Sequence, residues 1–395
     1  MITTKEATQI VLNNCPDPGS EEVTLSEAGG RILAQDITAD TDLPPFDRVM
    51  MDGIAVKYSD LESGVLEFTI VGIQRAGAPP LLLAGECNCI EVMTGAVCPE
   101  GATAIIPYEQ IKLNGNKALV EATEFKRGMN IHSRARDYKS GDVLITKGQI
   151  IGVPEIGIAA SCGLTNIRVI RQPRTIVVST GDELVEIDQK PEPHQIRKSG
   201  VYVLKELLSR YNIKADLAHA PDDEAQLNKL FNEMLKNYEL VVITGGVSKG
   251  KYDLVPDALS AHGVNCLFHK IAQKPGKPMW FGRNEQVTVF ALPGNPVSSL
   301  MCATRYLVPW IKKISGKNYQ TQTTLLGDEY ELRGSLTQFA VVKITTDAGG
   351  QRVAHIIKNN GSGDYASLSG ADGFVELSAD NKTYSKNDQV DLYLF

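Results

Sequence analysis

Residues 239–246 read ELVVITGG and residues 287–294 read VTVFALPG. Each is a short apolar run that ends in glycine or proline, which is the pattern of a buried strand followed by a loop. Working outward from these runs, strand and helix patterns alternate: RTIVVSTG (174–181), VYVLKELLSRY (201–211), KADLAHA (214–220), DEAQLNKLFNEMLKN (223–237), a helix after Asp253 and a long helix from Pro296. This alternation predicts an α/β domain over 171–318, with a doubly wound parallel sheet and helices on both faces.

The flanking sequence predicts four further parts. A capping-box spacing at Thr3 and Glu6 predicts a helix in residues 1–20 that packs on the α/β domain. Short apolar runs broken by Gly and Pro predict a β-rich insertion over 41–139, with a hairpin turn at Asn114, Gly115 and Asn116. Residues 21–40 and 140–170 would link these parts, and the strand patterns after 319 predict a small C-terminal β-barrel or sandwich over 319–395.

Charge and composition exclude several classes of protein. With 40 basic and 47 acidic residues the net charge is −7, which argues against a protein that binds nucleic acid through a basic face. The seven cysteines form no C-x-x-C pair and indicate reduced thiols. No apolar run reaches the roughly 18 residues of a membrane span, and Lys5 and Glu6 stand where a signal peptide would be apolar. We therefore expect a soluble, cytoplasmic protein without a membrane or nucleic-acid partner.

Three loops follow predicted strands, at the edge where ligands of such sheets bind. Their candidate ligand-binding residues are Thr180, Gly181, Asp182, Gly245, Gly246, Ser248, Pro293, Gly294, Asn295 and Pro296. Asn295 and Pro296 suit the start of a helix, where free N–H groups attract anions. Glycine pairs allow close approach to a phosphate. A capped helix without a ligand and an ordinary tight turn remain the alternatives.

The segment 274–278, KPGKP, holds a pair of lysines between prolines. Because the prolines stiffen the chain, Lys274 and Lys277 would be held in fixed directions, which suits a small tetrahedral dianion. A solvated basic turn is the alternative.

Carboxylates at or near the same strand ends would repel a phosphate unless a cation bridges them. These are Asp182, Glu183, Asp222, Asp223 and Asp253, and Mg²⁺ would resolve the conflict. Solvated acids or helix caps are the alternatives, above all for Asp222 and Asp223. In the insertion, Asp52 also suits a turn, and Arg134, Arg136 and Asp137 also suit a surface salt-bridge patch.

Six motifs together resemble the molybdopterin molybdenumtransferase family, which includes bacterial MoeA and the E-domain of gephyrin. They are LPPFDRVMMDGIA (43–55), MTGAVCPEGA (93–102), STGDEL (179–184), GGVSKGKYD (245–253), KPGKP (274–278) and LPGNPVS (292–298). The resemblance covers nearly the whole chain in order. It implies insertion of molybdate into adenylylated molybdopterin with Mg²⁺-dependent release of AMP.

The resemblance also implies roles for single residues. Lys274, Lys277, Ser298 and Ser362 would bind molybdate, and Thr94 would bind substrate. Mg²⁺ would be held by Glu183, Asp222 and Asp253. The implied catalytic residues are Asp52, Asp137, Glu183, Asp222, Asp253, Lys270 and Lys274. The family is an elongated homodimer, so the resemblance implies that residues 21–40 and 140–170 form a linker or dimerisation domain. Contact with the molybdopterin adenylyltransferase is also expected.

Three positions depart from the family pattern. Val49 replaces a residue of a usual Ser-Ala pair, Gly200 follows Ser199 where Asn is usual, and Val341 stands where an arginine linked to molybdate is common. A hydrophobic residue cannot neutralise an oxyanion. The departures leave two alternatives to the insertase: a pterin-binding scaffold that has lost catalysis, and a different Mg²⁺-dependent phosphoanhydride hydrolase that shares only the α/β domain.

Overall fold

The computed structural model describes residues 1–248, 254–317 and 319–395. The chain divides into two compact units. The first comprises residues 1–22, 30–32 and 168–395, and the second comprises residues 23–29 and 33–167. The finer division into linker, insertion, α/β and barrel domains stays a prediction.

Helices begin and end close to the predicted positions. The N-terminal helix is closed by the predicted capping box, in which Thr3 Oγ1 accepts from the Glu6 N–H and the Glu6 carboxylate accepts from the Thr3 N–H at 2.7 Å. The α-helices are Thr4–Asn13, Tyr58–Glu62, Val153–Ser161, Gly200–Ser209, Glu224–Asn237, Val255–Ala261, Pro296–Cys302 and Val308–Ile314. A π-helical turn, Ala303–Leu307, joins the last two, and short 3₁₀ turns lie at Leu25–Glu27, Tyr108–Gln110 and Tyr365–Leu368.

A six-stranded sheet forms the centre of the first unit. Its spatial order is Ala215–Ala220, Thr175–Thr180, Leu240–Thr244, Thr288–Leu292, Trp280–Arg283 and Asn265–His269. The first four strands are the predicted ones and run parallel, whereas the last two add an antiparallel hairpin at one edge. The predicted strands are therefore parallel as expected and the α/β class is confirmed, while the antiparallel hairpin is an addition that the sequence did not predict.

The parallel strands are buried on both faces, as their unbroken apolar sequences predict. Val177 faces a core that includes Leu204 and Trp310, while its neighbours Ile176 and Val178 face a second core around Phe231. Helices therefore cover both faces. Ala7 and Val11 of the N-terminal helix belong to the first of these cores, together with Val177 and Leu204.

The C-terminal strands close into a five-stranded barrel. Its strands are Gln322–Leu326, Thr337–Thr346, Arg352–Ile356, Gly373–Leu377 and Gln389–Leu394. Closure follows because Thr337–Thr346 pairs with both Arg352–Ile356 and Gly373–Leu377. The short strand Gln273–Lys274 adds to the barrel edge with Lys274 opposite Gln338. A separate pair, Tyr330–Glu331 with Thr383–Tyr384, lies beside the barrel strands in sequence.

The second unit contains a curled six-stranded sheet. Its spatial order is Ala104–Pro107, Gly53–Val56, Asn88–Val92, Glu67–Gln74, Lys117–Val120 and Ile111–Asn114. The predicted hairpin turn is confirmed, because Asn114 pairs with Lys117 across Gly115 and Asn116. Short strand pairs complete this unit: Arg48–Val49 with Ile131–His132, and Ile37–Thr38 with Val143–Ile145. The remaining strands are Ser20–Thr24, Asn166–Ile170, Leu184–Val185 and Ile196–Arg197.

A bidentate ion pair fixes the start of the α/β sheet. Arg171 donates from Nη1 and Nη2 to the two Glu239 carboxylate oxygens at 2.6 and 2.7 Å. The Arg174 N–H donates to the same carboxylate at 3.0 Å. The hydrogen bonds from Arg171 lower the pKa of the Glu239 carboxyl from 4.5 to about 2, against a smaller opposing effect of burial.

We expect Glu239→Gln to destabilise the protein by roughly 1–3 kcal/mol at pH 7. Because the folded-state pKa lies below the unfolded value, the stabilisation is present above about pH 4.5 and is lost as the pH falls toward 2. Urea unfolding at pH 7 and pH 3, followed by fluorescence of Trp280 and Trp310 in this unit, measures the difference. Glu206→Gln, in an exposed pair with Arg210, is the control. An equal effect of Glu239→Gln at both pH values would contradict the assignment.

Candidate active site

The three predicted loops meet at the carboxyl edge of the parallel strands. Register pairs Ser179 with Thr244 and Thr244 with Leu292, so the loops that follow these residues lie side by side. They surround a cavity of about 460 Å³, here called the strand-end cavity. Eleven residues predicted from the sequence line it: Thr180, Gly181, Glu183, Asp222, Gly245, Gly246, Ser248, Pro293, Gly294, Asn295 and Pro296. The structure therefore brings most of the candidate set together.

Glycine is required at positions 245 and 246 by close approach of the first loop. Both have positive φ, +102° and +65°. A Cβ at Gly245 would lie 2.6 Å from Thr180 Oγ1 and 2.8 Å from the Thr180 carbonyl oxygen, and a Cβ at Gly246 would lie 2.6 Å from Val255 Cγ2. The two loops could not pack this closely with any side chain there. Glycine at both positions is therefore required by the packing of these loops.

One hydroxyl in this cavity is buried without a hydrogen-bond partner. Thr180 Oγ1 has no partner among the described residues, although Thr180 lines the strand-end cavity. Buried hydroxyls are almost always paired, because an unmade hydrogen bond costs about 1–3 kcal/mol. An unpaired hydroxyl at this position suits a bound group with a polar atom.

The acids at the strand ends have different roles. Asp223 is the N-cap of the helix Glu224–Asn237, where its Oδ1 accepts from the Gln226 N–H at 2.9 Å. Asp182 Oδ1 accepts from the Asp222 N–H at 3.0 Å, and Asp182 does not line the cavity. Glu183 and Asp222 do line it. Within the described ranges no group of three or more His, Cys, Asp or Glu could hold a metal. Asp253 lies outside the described residues, so the three-carboxylate prediction stays a prediction.

The strand-end cavity also has basic residues that sequence reasoning missed. Arg197 and Lys198 line it, and Lys198 is buried with its ammonium 2.5 Å from Glu186. The hydrogen bond from Lys198 lowers the pKa of the Glu186 carboxyl. Nearby, Ser179 Oγ and His219 Nδ1 lie 3.0 Å apart, and burial, followed by the charge of Lys198, lowers the pKa of His219. The only signal for these residues was the Arg-Lys-Ser run just before a predicted helix.

A second cavity of about 870 Å³ adjoins the first, and we call it the lysine cavity. It shares Pro278, Pro293 and Asn295 with the strand-end cavity. Lys274, Lys277, Ser298 and Ser362, the four residues expected at a molybdate pocket, all line it. Packing of the barrel beside the α/β domain thus brings together residues that are distant in sequence, such as Asn295 and Ser362, which are 67 positions apart and hydrogen-bond at 2.9 Å.

A buried amide fixes the backbone between the two lysines. Gln273 is 0% exposed, accepts from the Tyr306 hydroxyl at 2.5 Å and donates to the Gly276 carbonyl at 3.1 Å. The Ile271 N–H donates to the Lys277 carbonyl at 3.0 Å. The segment is therefore rigid for reasons beyond its prolines, while both lysine side chains stay exposed.

The start of the helix Pro296–Cys302 differs from the prediction in one respect. Pro296 takes the first helical position as expected, but the Asn295 side chain makes no capping hydrogen bond. Its Nδ2 donates instead to Ser362 Oγ, and the Val297 N–H donates to the Ser362 carbonyl at 3.2 Å. Asn295 is therefore the N-cap residue as predicted, but the Ser362 carbonyl of the barrel loop, rather than the Asn295 side chain, accepts from the first-turn N–H of Val297. Val341 also lines the lysine cavity and is 1% exposed, so it presents an apolar wall there.

The remaining predicted residues lie elsewhere. Lys270 lines neither cavity, and its backbone N–H donates to the Met279 carbonyl at 2.9 Å. In the second unit, Asp52 Oδ1 accepts from the Thr94 N–H at 2.6 Å and from its hydroxyl at 2.7 Å, which lowers the pKa of Asp52. Asp137 Oδ1 lies 2.9 Å from His132 Nε2. Arg134 pairs with Asp42 at 2.6 Å, in line with a surface salt bridge.

Comparison with known proteins decides the family. Residues 2–163 match the MoeA N-terminal region (domain I and II), residues 176–313 match the probable molybdopterin binding domain, and residues 324–395 match the MoeA C-terminal region (domain IV). The molybdopterin molybdenumtransferase of Synechocystis sp. is 35% identical over 397 residues, covering 100% of both chains. The chain belongs to the molybdopterin molybdenumtransferase family.

Other members of the molybdopterin molybdenumtransferase family agree in sequence and fold. The Haemophilus influenzae molybdopterin molybdenumtransferase is 36% identical over 320 residues, which cover 80% of this chain and 78% of that protein. The crystal structure of a molybdopterin biosynthesis MoeA protein from Pyrococcus horikoshii is 28% identical, with a TM-score of 0.85 over 100% of this chain and 99% of that one. Its likeness confirms the multidomain α/β and β-barrel fold.

Across the described ranges, no helix combines the length and apolar character needed to cross a membrane. All seven cysteines are free, as their spacing predicts.

Proposed function

We propose that this chain is a molybdopterin molybdenumtransferase, which inserts molybdate into adenylylated molybdopterin and releases AMP in molybdenum cofactor biosynthesis. The observation that carries the proposal is the pair of adjoining cavities, which share Pro278, Pro293 and Asn295. The strand-end cavity suits a phosphate-bearing ligand, and the lysine cavity suits a small anion. A reaction between these two substrates needs such neighbouring sites, because holding reactants together supplies much of the rate enhancement.

The lysine cavity is the proposed molybdate pocket. Lys274 and Lys277 supply positive charge, and the hydroxyls of Ser298 and Ser362 can donate hydrogen bonds to oxyanion oxygens. Because Gln273 and Tyr306 fix the backbone between the lysines, little reorganisation is needed when the dianion binds. Molybdate is a substrate here, so the pocket must bind it and also release it to the pterin.

The strand-end cavity is the proposed site of the pterin phosphate and the adenylate. Gly245 and Gly246 let the backbone approach a phosphate, and the unpaired Thr180 hydroxyl offers it a hydrogen bond. Gly181, Ser248, Pro293, Gly294 and Pro296 form the rest of this proposed wall, with Asp182 positioning Asp222 through its backbone.

The carboxylates of this cavity fit Mg²⁺. Magnesium prefers oxygen ligands and is commonly held by one or two carboxylates together with substrate phosphates, which matches Glu183 and Asp222. When bound, the ion would withdraw negative charge from the phosphoanhydride. Asp253 is proposed as a third ligand from the resemblance alone. Glu183 and Asp222 would also orient the adenylate for cleavage.

Several further expectations belong to this proposal. Asp52, Thr94 and Asp137 would serve a site completed by a second copy in a homodimer, and Lys270 would act as a further catalytic residue. The proposed setting is the cytoplasm, with supply of substrate by contact with the molybdopterin adenylyltransferase.

The test is an assay of AMP release from adenylylated molybdopterin. Purified protein, substrate and Mg²⁺ are incubated with and without molybdate, and AMP is quantified by chromatography. We expect release that depends on both Mg²⁺ and molybdate. Tight pterin binding without molybdate-dependent AMP would contradict the proposal and favour a pterin-binding scaffold.

A further inference from the structure

The lysine cavity has a charge balance opposite to that of the whole chain. The chain carries a net charge of −7, yet the described residues that line this cavity include three lysines and neither Asp nor Glu. The third lysine is Lys358, which none of the sequence motifs includes. Lysines on acidic proteins usually lie near carboxylates. A cavity wall that carries only positive charge therefore raises the local concentration of anions.

Lys358 is placed on this wall by the barrel. It follows the strand Arg352–Ile356, and the intervening Ile357 donates its N–H to the Val341 carbonyl at 2.8 Å. This hydrogen bond extends the pairing with the central barrel strand by one step and fixes the backbone next to Lys358. The side chain itself is exposed.

The loop after Lys358 is held at its other end by two sets of contacts. Ser362 accepts from the Val297 N–H and from Asn295 Nδ2, which ties the loop to the α/β domain. Asp364 accepts from the Asn360 N–H at 3.0 Å and caps the turn at Ser367. A loop fixed at both ends costs less conformational entropy when its lysine binds an anion than a free one would.

Lys358 is the charged group that the barrel contributes to this cavity. Among the described lining residues it is the barrel's one cation, since Val341 is apolar and buried and the other two lysines lie on the segment 274–278. The barrel wall without Lys358 would offer an anion only the Ser362 hydroxyl and amide groups such as those of Asn359 and Asn360.

We propose that Lys358 is a third anion-binding residue of the lysine cavity and the barrel's charged contact to the tetrahedral dianion. The identity of that dianion as molybdate rests on the proposed function, whereas its class, a small doubly charged oxyanion, rests on the cavity. Lys358 adds a third ammonium group to the lining of the cavity, which helps to neutralise the dianion and raises its local concentration.

The test is direct binding of molybdate to the full chain without pterin, measured by titration calorimetry at two salt concentrations. Lys358→Ala should weaken binding about tenfold at low salt, since a charge-assisted contact is lost. Lys358→Arg should bind within about threefold of wild type, because its charge is kept. Lys386→Ala, which removes an exposed barrel lysine outside the cavity, is the matched control and should bind like wild type.

The outcomes separate this inference from the proposed function. Equal molybdate affinity in the Lys358→Ala and Lys386→Ala variants would overturn the role of Lys358, even if wild type transfers molybdenum normally. Absence of measurable molybdate binding by wild type would overturn it as well. Conversely, a selective loss in Lys358→Ala supports it, even if wild type releases no AMP and the proposed transferase activity fails. Thermal melting of each variant checks that the barrel stays folded.

Discussion

Replacing Lys274 and Lys277 together with alanine is expected to weaken molybdate binding about 1,000-fold and to reduce molybdate-dependent AMP release by a similar factor. Both side chains line the lysine cavity and are exposed to it, and their backbone is fixed by Gln273. Each loss removes a charged contact to the dianion. Calorimetry with molybdate and an AMP assay measure the two effects.

A matched control removes two charges elsewhere. Lys205 and Lys229 are exposed lysines on the helices Gly200–Ser209 and Glu224–Asn237, and neither lines the lysine cavity. The Lys205→Ala Lys229→Ala variant should bind molybdate nearly as well as wild type. Full activity in the Lys274→Ala Lys277→Ala variant, or an equal loss in the control, would contradict the molybdate pocket.

Arg305→Met is expected to destabilise the first unit by about 3–5 kcal/mol. Arg305 is 5% exposed, and its Nε lies 3.0 Å from Glu376 Oε2. Its Nη1 donates to Thr8 Oγ1 at 2.7 Å, so the guanidinium joins the N-terminal helix, the long helical segment and the barrel. Methionine keeps most of the volume but leaves the Glu376 carboxylate buried without its cation. Urea unfolding followed by tryptophan fluorescence measures the loss.

Two further variants separate charge from packing at this position. Arg305→Met combined with Glu376→Leu should recover much of the lost stability, because replacing both members of a buried pair removes the unpaired charge. Arg210→Met removes an arginine from an exposed pair with Glu206 and should change stability by less than about 1 kcal/mol. A single Arg305→Met variant as stable as Arg210→Met would contradict the role given to this ion pair.

Local patterns were sufficient to predict the α/β domain and the loops of the strand-end cavity. Residues such as Val177 and Leu240 lie in short, continuous apolar runs, and such a run by itself predicts a strand that is buried on both faces. The loops that follow parallel strands must then lie at one edge of the sheet. The hairpin of Asn265–His269 and Trp280–Arg283 was missed because its first strand is mostly exposed or half-buried, and its pairing joins segments across the KPGKP loop. The barrel strand Gln322–Leu326 was not predicted from the sequence, because its first three residues are polar.

The lysine cavity was predictable from local sequence only in the segment 274–278. Lys274 and Lys277 can be recognised in the sequence because prolines flank them. Lys358 can be recognised only in the structure, where its barrel loop packs beside Asn295. The same contact explains why the Asn295 side chain makes no capping hydrogen bond, since the carbonyl of the distant Ser362 accepts from the Val297 N–H instead. Arg197 and Lys198 likewise join the strand-end cavity through tertiary packing.

The central claim is that the two adjoining cavities form one site at which a dianion and an adenylylated pterin react. A single-turnover experiment tests it most directly: enzyme in excess over adenylylated molybdopterin, with Mg²⁺, is mixed with molybdate, and AMP and pterin-bound molybdenum are quantified over time. The account predicts that both products form together in equal amounts, and that neither forms in the Lys274→Ala Lys277→Ala variant. Release of AMP at an unchanged rate without molybdate, with no molybdenum on the pterin, would contradict it.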